Sequence, residues 1–565
     1  MSRTRQYYEQ ELSALREQGK RFSERFPKLA PFLGQGTKDP DIERLLEGFA
    51  FVGSKLWAKI DDAYPELAEQ FLDILAPGYF SVLPSATVLQ FKPNPAIGKK
   101  AKSFPRGTEM MATKNDEPFL LTSCYDVCVE PLQLNGFNKR VKQDQTHLTL
   151  SFKMLYDRSA QDLTKPIRLY LNGDLRETYF LSYLLTKKLT GIYFNVGKEK
   201  HKVENAKFKR LGLSASESLI PFYDAYYHSF SLLTEYFSFP EKFMFLELEN
   251  LNFKDLPAAK SFDLEVVLDF DDRTNFGVTA EHFQLHCVPA VNLFKADAEP
   301  LTHEGAKIAY PLRVQNFKDA AVHSVLNVEA FSESRQTKFE YVAARNFPVL
   351  EQGLHRYQGH LRESLVHDHP DVYLELWSPE HTLEKQTVTT EVLSYQPNAF
   401  LEVNGIKMLA NDKSTLGVEF TNLNAFTMPV YPPLSQEVIW QLIAHLSFKF
   451  KNLQEVETLR ELILAYDFAG FQPGGHHAMG KKLATSMLEL KTIPKQNFYK
   501  GEIFYGHTSS LSVKEDVFLN TGEIDLFGSI FAEILKEHAP FNSYHELSIK
   551  GVQTGIALSW PTAFS

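Results

Sequence analysis

The chain has 565 residues, 44% of them hydrophobic and 13% aromatic, which is enough apolar matter for several packed cores and excludes wholesale disorder. With 60 Lys and Arg against 70 Asp and Glu the net charge is −10, which argues against a dedicated nucleic-acid binder, since phosphate contacts need a basic face. Three cysteines cannot build a disulfide framework, mean hydropathy is −0.26, and no uncharged apolar run nears the ~18–20 residues that span a bilayer; the composition is that of a cytosolic protein of three or four domains.

Residues 1–6 lead directly into a charged helical pattern with no apolar core of a secretion signal. From there Tyr8, Leu12, Leu15, Gly19, Phe22 and Phe26 recur at a 4-3-4-3-4 spacing, the seam of a short coiled coil. A seam so short is marginal alone and must pack on something, in this chain or in another. Asp39 and Pro40 announce a second helix with an apolar stripe of Ile42, Leu45, Leu46, Phe49, Val52, Leu56 and Ile60. A third runs through Leu67, Phe71, Leu72 and Leu75 to Pro77. Residues 1–80 thus form a helical N-terminal region.

The period then changes. Strands are expected at 88–91, 147–152, 167–171, 243–248, 262–270, 283–288, 322–331 and 372–377, with helical interludes at 175–185 and 224–237. This strand-rich middle divides into domains at 81–225 and 226–430. Helices return after Pro432-Pro433. Ser435 can cap one carrying Val438, Ile439, Leu442 and Leu446, and Asn520 caps another, with Glu523 as its reciprocal partner and a stripe of Leu526, Phe527, Ile530, Phe531, Ile534 and Leu535. Residues 431–565 read as a compact α/β unit. The fold class is mixed α+β and multidomain.

Motifs that would carry chemistry fail on inspection. Gly475-His476-His477-Ala478-Met479-Gly480-Lys481-Lys482 has the skeleton of a phosphate-binding loop, but Lys482 stands where Ser or Thr should hold magnesium, and a helical pattern precedes it where a buried strand is needed. A flexible connector is the better reading; nucleotide binding is the enzyme alternative. Cys124 and Cys128 lack a second ligand pair, and Cys287 has only His286 beside it, so buried small hydrophobes are expected instead of a zinc site. His367-Asp368-His369 reads as a polar turn, and His545-Glu546 lacks the second histidine of a metalloprotease helix. Asp269, Asp271 and Asp272 are followed by Arg273 and Thr274 where a calcium loop needs a ligand and glycine, and read as a solvated strand end. The basic stretch Lys198, Lys200, Lys202, Lys207, Lys209 and Arg210 reads as a solvated face, with contact to an acidic protein surface as the alternative. A ligand-binding module on the strand-rich middle is a further alternative. What stands out are the aromatic strings Phe222-Tyr223-Asp224-Ala225-Tyr226-Tyr227 and Tyr236-Phe237-Ser238-Phe239-Pro240, suited to domain cores or to interfaces.

Several longer strings resemble the TssF family of type VI secretion baseplate subunits, also called VasA or ImpG. They are RLLEGFAFVGSKLWAKIDDAYPELAEQFLDILAPGYFSVLPSATVLQF at 44–91, LLTEYFSFPEKFMFLEL at 232–248, HCVPAVNLFKADAEPL at 286–301 and EIDLFGSIFAEILKEHAPFNSYHELSIK at 523–550. Tyr7-Tyr8 with Glu11-Leu12 and the weaker block 440–447 agree. The chain departs from the family pattern at Lys449, where Asn is usual, and at 394–401, which lacks the family's Cys-Thr-Asn-Arg string. The resemblance implies a structural role without catalytic residues, cofactors or metal, and an architecture similar to contractile-tail baseplate wedge proteins. Implied partners are a TssG-like subunit (two TssF-like copies to one), a second copy of the chain, TssK- and TssE-like proteins, the spike VgrG, and indirectly the sheath and Hcp tube. Wedges of this kind form a six-fold ring at the cytoplasmic side of the bacterial inner membrane, with no nucleic acid and no membrane insertion. The family's N-terminal helices enter an inter-subunit bundle, which makes Tyr8, Leu12, Leu15, Phe22 and Phe26 candidate partner-interface residues.

Overall fold

The computed structural model describes residues 8, 12–16, 44, 46–52, 54, 68, 71–72 and 75–76, and from 78 onward all but 94–100, 115–116, 157, 221–228, 273–275, 305–306, 308, 318, 333–335, 345–354, 365, 379–384, 399–406, 409–417, 448–454, 473–477, 500–501, 538–542 and 565. The chain divides into two compact units, one of residues 1–76 with 435–444 and the other of 77–434 with 445–565.

In the first unit the described residues before 77 are helical up to Leu75. In the helix covering 46–52 and 54, two members of the apolar stripe face outward, Phe49 at 63% and Val52 at 65% exposed, while Leu46 is half-buried and the small Ala50 and Ser54, four apart, are buried. In the next helix Leu72 is buried and Phe71 is 54% exposed. These large side chains are more than half exposed, and the small residues pack inward instead.

The second unit is built from sheets. Alternation along Gln145–Met154 puts Leu148, Leu150 and Phe152 on one face, where they meet Ile192, Phe194, Phe262, Leu264 and Val266 from neighbouring strands of a five-stranded sheet. Phe262 stacks on Phe152 and Phe194 at 5.3 and 4.8 Å between ring centres. A six-stranded sheet centres on Ala86–Pro93, paired with Cys287–Val291 on one side and Val418–Asn422 on the other. A four-stranded sheet joins Lys207–Arg210, Phe245–Glu249, Arg168–Leu171 and Phe283–Leu285 in that order. The expected boundary at residue 225 falls inside these sheets, because strands before it pair with strands after it.

His286 divides the strand expected at 283–288. It takes a left-handed φ of 57°, and the chain leaves the four-stranded sheet at Leu285 to enter the six-stranded one at Cys287. Residues 294–395 carry their own eight-stranded sheet around a core that includes Tyr310, Val328, Tyr341, Leu374, Val388 and Val392.

Helix positions follow local chemistry. Leu175–Lys187 begins where the Asp174 carboxylate accepts the Arg176 N–H at 2.8 Å and ends with Lys187, suited to the negative end of the helix dipole. Residues 224–228 of the second expected interlude lie outside the described residues; the helix there is Ser231–Ser238. After the helices Val456–Tyr466 and Ala478–Ser486, the long hairpin Met487–Tyr499 and Glu502–Val513 opens the C-terminal sheet. Glu502–Val513 pairs in parallel with Tyr544–Gly551 through a crossover helix, Thr521–Glu537, and Ala557–Phe564 closes the edge; residues 435–444 of the expected 431–565 unit group instead with residues 1–76.

Candidate functional site

Two regions carry side chains in unusual places. One is the outward apolar face of the N-terminal helices. Tyr8, Leu12 and Leu15 of the expected seam are half-buried on a helix whose Ser13, Ala14 and Arg16 are exposed; Phe22 and Phe26 lie outside the described residues. To that seam the structure adds Phe49, Phe51, Val52 and Phe71, all at least half exposed, and Trp440 on the helix Gln436–Ser447. Exposed apolar groups of this size that cluster mark sites of association. The sequence signal was present in the stripe itself; its direction was not.

The other is the junction between the Leu175–Lys187 and Thr521–Glu537 helices, where charge is buried. Gly522 lies so close to the backbone of Tyr179 that a Cβ would stand 2.1 Å from its carbonyl oxygen, and Gly528 presses equally on the Trp560 ring. Between these contacts Arg210 reaches in from the edge strand. Its Nη2 donates to Asp525 Oδ2 at 2.8 Å and to Ser182 Oγ at 3.0 Å, its Nε to Ser182 Oγ at 3.3 Å, and its Nη1 to Ser529 Oγ at 3.1 Å. Ser529 Oγ donates in turn to the Asp525 carbonyl and also accepts the Trp560 N–H, so all of its hydrogen-bonding capacity is used. Asp525 is 0% exposed, and Lys187 Nζ stands 3.7 Å from its second oxygen.

Two residues earlier, Glu523 is equally buried and binds the Tyr236 hydroxyl at 3.0 Å, with Lys482 Nζ at 3.9 Å. Asn520 caps the helix as expected, accepting the N–H groups of Gly522 and Glu523. Glu523 closes the box onto the N–H of Leu519, not of Asn520. A further buried pair, Lys242 with Glu235, lies nearby in sequence to Tyr236, and Glu235 also accepts the Leu219 N–H. Removing either partner of such a pair strands a charge in a low-dielectric interior.

The remaining candidates resolve into structural parts. Gly480 lies inside the Ala478–Ser486 helix, and its N–H, one of the donors that would face a phosphate, is taken by the buried Asp467 carboxylate at 3.2 Å. Residues 475–477 of that string lie outside the described residues. Cys124 is buried with its thiol on the Leu219 carbonyl, and burial raises all three thiols, Cys128 to about 11. The rings of His367 and His369 stack 4.9 Å apart, and His545 is buried on Ser509 at 3.1 Å, where burial lowers its pKa to about 4. Among the described residues no group of three or more His, Cys, Asp or Glu is placed to hold a metal ion.

Three sequence readings are corrected. Asp272 is not solvated: it is buried, paired with Lys139 at 2.7 Å, and accepts the Phe276 N–H at 2.7 Å. Tyr236 and Phe239 of the second aromatic string are core residues and supply no interface; the first string lies outside the described residues. Arg210 of the basic stretch is buried, as above. Lys198 lies in a turn, and the other lysines sit on two sheet edges, Glu199–Val203 and Lys207–Arg210. Lysines on an edge strand block pairing with another chain, and here they face carboxylates: Lys200 with Glu265, Lys207 and Lys209 with Glu249. Burial pushes the Glu265 carboxyl up, but hydrogen bonds from Lys200, Asn195 and His147 outweigh it and hold the pKa down at about 2.

The family model for the type VI secretion system protein TssF matches residues 1–565. A relative from Pseudomonas aeruginosa, named Type VI secretion system component TssF1, is 24% identical over 620 residues, covering 98% of this chain and 97% of its own. Among solved structures, a chain of the type VI secretion system TssK-TssF-TssG baseplate subcomplex, seen by cryo-electron microscopy, is similar with a TM-score of 0.79 at 26% identity, covering 93% of this chain and 99% of that one. A chain of the baseplate complex from the type VI secretion system gives 0.68 at 27% identity over 99% and 98%.

Proposed function

Because the chain belongs to the TssF family and is a structural subunit of the type VI secretion baseplate, we propose that its N-terminal helices are the part that joins it to the neighbouring subunits of a baseplate wedge. The observation that carries this is the inverted helix, with Phe49 and Val52 out and Ala50 and Ser54 in. Obligate interfaces resemble a domain core cut in half, and a helix that turns its largest apolar groups outward supplies one such half. Tyr8, Leu12, Leu15, Phe22 and Phe26 belong to the same surface in this reading.

The partners that fit are a TssG-like subunit and a second copy of this chain, two to one, with TssK-like protein in the same subassembly. TssE-like protein, the spike VgrG and, through them, the sheath and Hcp tube complete the ring at the cytoplasmic side of the inner membrane. Among the described residues no helix is long and apolar enough to cross a membrane. The role needs binding surfaces and no bond-making chemistry. Co-expression with the TssG-like partner, followed by mass measurement of the complex, tests it: a 2:1 assembly is expected from the unaltered chain, and none from Leu15→Asp with Phe22→Asp. A monomer in the first case, or unchanged assembly in the second, overturns the reading.

A further inference from the structure

We propose that Arg210 and Asp525 are positioning residues, which set the angle at which the C-terminal α/β unit docks on the strand-rich body and contribute orientation more than net stability. This rests on the assembly reading above and adds to it a reason why charge is buried inside the second unit.

The contact between the two helices is made of small groups. Gly522 lies on Tyr179, and Ser182 and Ser529 lie on the guanidinium. Gly522, Asp525 and Ser529 fall on one helical stripe, as Tyr179 and Ser182 do on the facing helix. Such a contact lets the backbones approach but offers few interlocking side chains to select one crossing angle, and apolar attraction is itself non-directional.

The guanidinium supplies what is missing. It is planar, its donors form a rigid fork, and four of its hydrogen bonds divide between one helix (Ser182) and the other (Asp525, Ser529). A rotation of either helix breaks several of them at once and leaves a carboxylate and a guanidinium unpaired in the interior. The same node continues to the last strand: Trp560 donates to Ser529, Lys187 Nζ lies 5.3 Å from the Trp560 ring centre, and the Lys187 ammonium donates to the Ser559 carbonyl at 3.3 Å. Thus one side chain from an edge strand holds the helix of the α/β unit directly and, through Ser529, is linked to its last strand. Buried ion pairs roughly break even in stability against apolar groups of similar volume, so their contribution here is geometric. In a subunit that must meet several neighbours at once, that geometry decides whether its surfaces line up.

The test replaces the pair by apolar groups, Arg210→Met with Asp525→Leu, in the full chain. The double variant is expected to melt within about 3 °C of the unaltered protein, since the exchange is near neutral for stability. Amide hydrogen exchange over 179–187 and 521–530 should nevertheless speed up about tenfold, and recovery of the complex with the TssG-like partner should fall about tenfold. Arg210→Lys keeps the charge but not the fork and should behave like the double variant. Unchanged exchange and assembly in the double variant overturn the proposal. So does a melting point lower by more than about 10 °C, which would make the pair a source of stability. If the unaltered chain forms no complex, it is the assembly reading that fails, and exchange in the isolated chain still decides the role of the pair.

Discussion

Two helices of this chain break the usual inside–outside rule in opposite directions. Thr521–Glu537 buries Glu523 and Asp525 completely, whereas the helix around residue 50 leaves Phe49 and Val52 about two-thirds exposed. In the first, every buried charge finds a partner within the chain, Arg210 and Lys187 for Asp525 and Tyr236 and Lys482 for Glu523. In the second, the described residues offer the large apolar groups no cover. An interior that spends polarity on itself is finished; a surface that displays aromatic groups awaits another chain. The contrast therefore separates the part of the molecule that must hold one shape from the part that must meet its neighbours.

The largest effect should come from breaking the finished interior on one side only. Asp525→Ala leaves Arg210 buried without its counter-charge, and roughly 3–5 kcal/mol of stability should be lost. Chemical denaturation followed by the fluorescence of Trp560, which is bonded to the same node, would measure it. A loss below about 1 kcal/mol would mean that water relieves the site and that it is not an interior in the sense argued.

Acid offers a second way in. His323 is buried, with Nε2 2.9 Å from the Val82 carbonyl oxygen, and burial lowers its pKa to about 4 despite that hydrogen bond. Its folded pKa thus lies below the ordinary ~6.5, so the unfolded chain takes up a proton that the folded chain refuses. The resulting stability is complete above about pH 6.5 and drains away as pH falls toward 4, by roughly 3 kcal/mol at most for this one residue. His323→Gln, which retains a donor for the Val82 carbonyl, should flatten the pH dependence of the denaturation midpoint between pH 6.5 and 4. An unchanged slope would place the acid sensitivity elsewhere, His545 being the next candidate.

How much of this was legible in the sequence varies with the physics involved. Periodicity found the Thr521–Glu537 helix, its Asn520 cap and the strand at Gln145–Met154, because one buried face imposes a regular spacing. It also found the stripe that includes Phe49 and Val52 but left its surroundings open, since spacing gives a face and not what covers it. The hairpin Met487–Val513 escaped notice: residues such as Glu489, Lys491 and Lys495 interrupt the apolar run and carry no β-branched signature. The Arg210 node was invisible as well. It joins residues 28 and 315 positions apart, and in sequence Arg210 looks like one more member of a lysine run. The strand break at His286 depends on a single left-handed residue that is not glycine, which composition does not announce.

On the unfinished surface the expected effect is on association alone. Phe49→Asp with Val52→Asp should leave the melting point of the isolated chain within about 2 °C, because neither side chain is in a core. Binding to the TssG-like partner should weaken by a factor of about 30 or more, the cost of losing a central apolar anchor. A titration showing normal affinity would remove this helix from the interface and, with it, half of the contrast.

The smallest effect concerns the lysine-bearing edges, which obey the ordinary rule and so serve as its control. Lys200 and Lys202 lie on Glu199–Val203, which among the described residues is an outer strand pairing with Leu189–Val196. Their ion pairs, with Glu265 at 2.8 Å and Glu204 at 3.4 Å, are solvent-exposed on the lysine side, and such pairs contribute about 0–1 kcal/mol each. Lys200→Val with Lys202→Val should therefore hardly change stability. It should, however, open a β-branched edge to strand pairing, and sedimentation velocity at rising concentration should reveal self-association beyond that of the unaltered chain. If the variant sediments like the parent, the lysines are not gatekeepers. The basic stretch would then recover its other reading, a face that attracts an acidic partner, and an exposed charge would have joined the exposed aromatics as a means of meeting other chains.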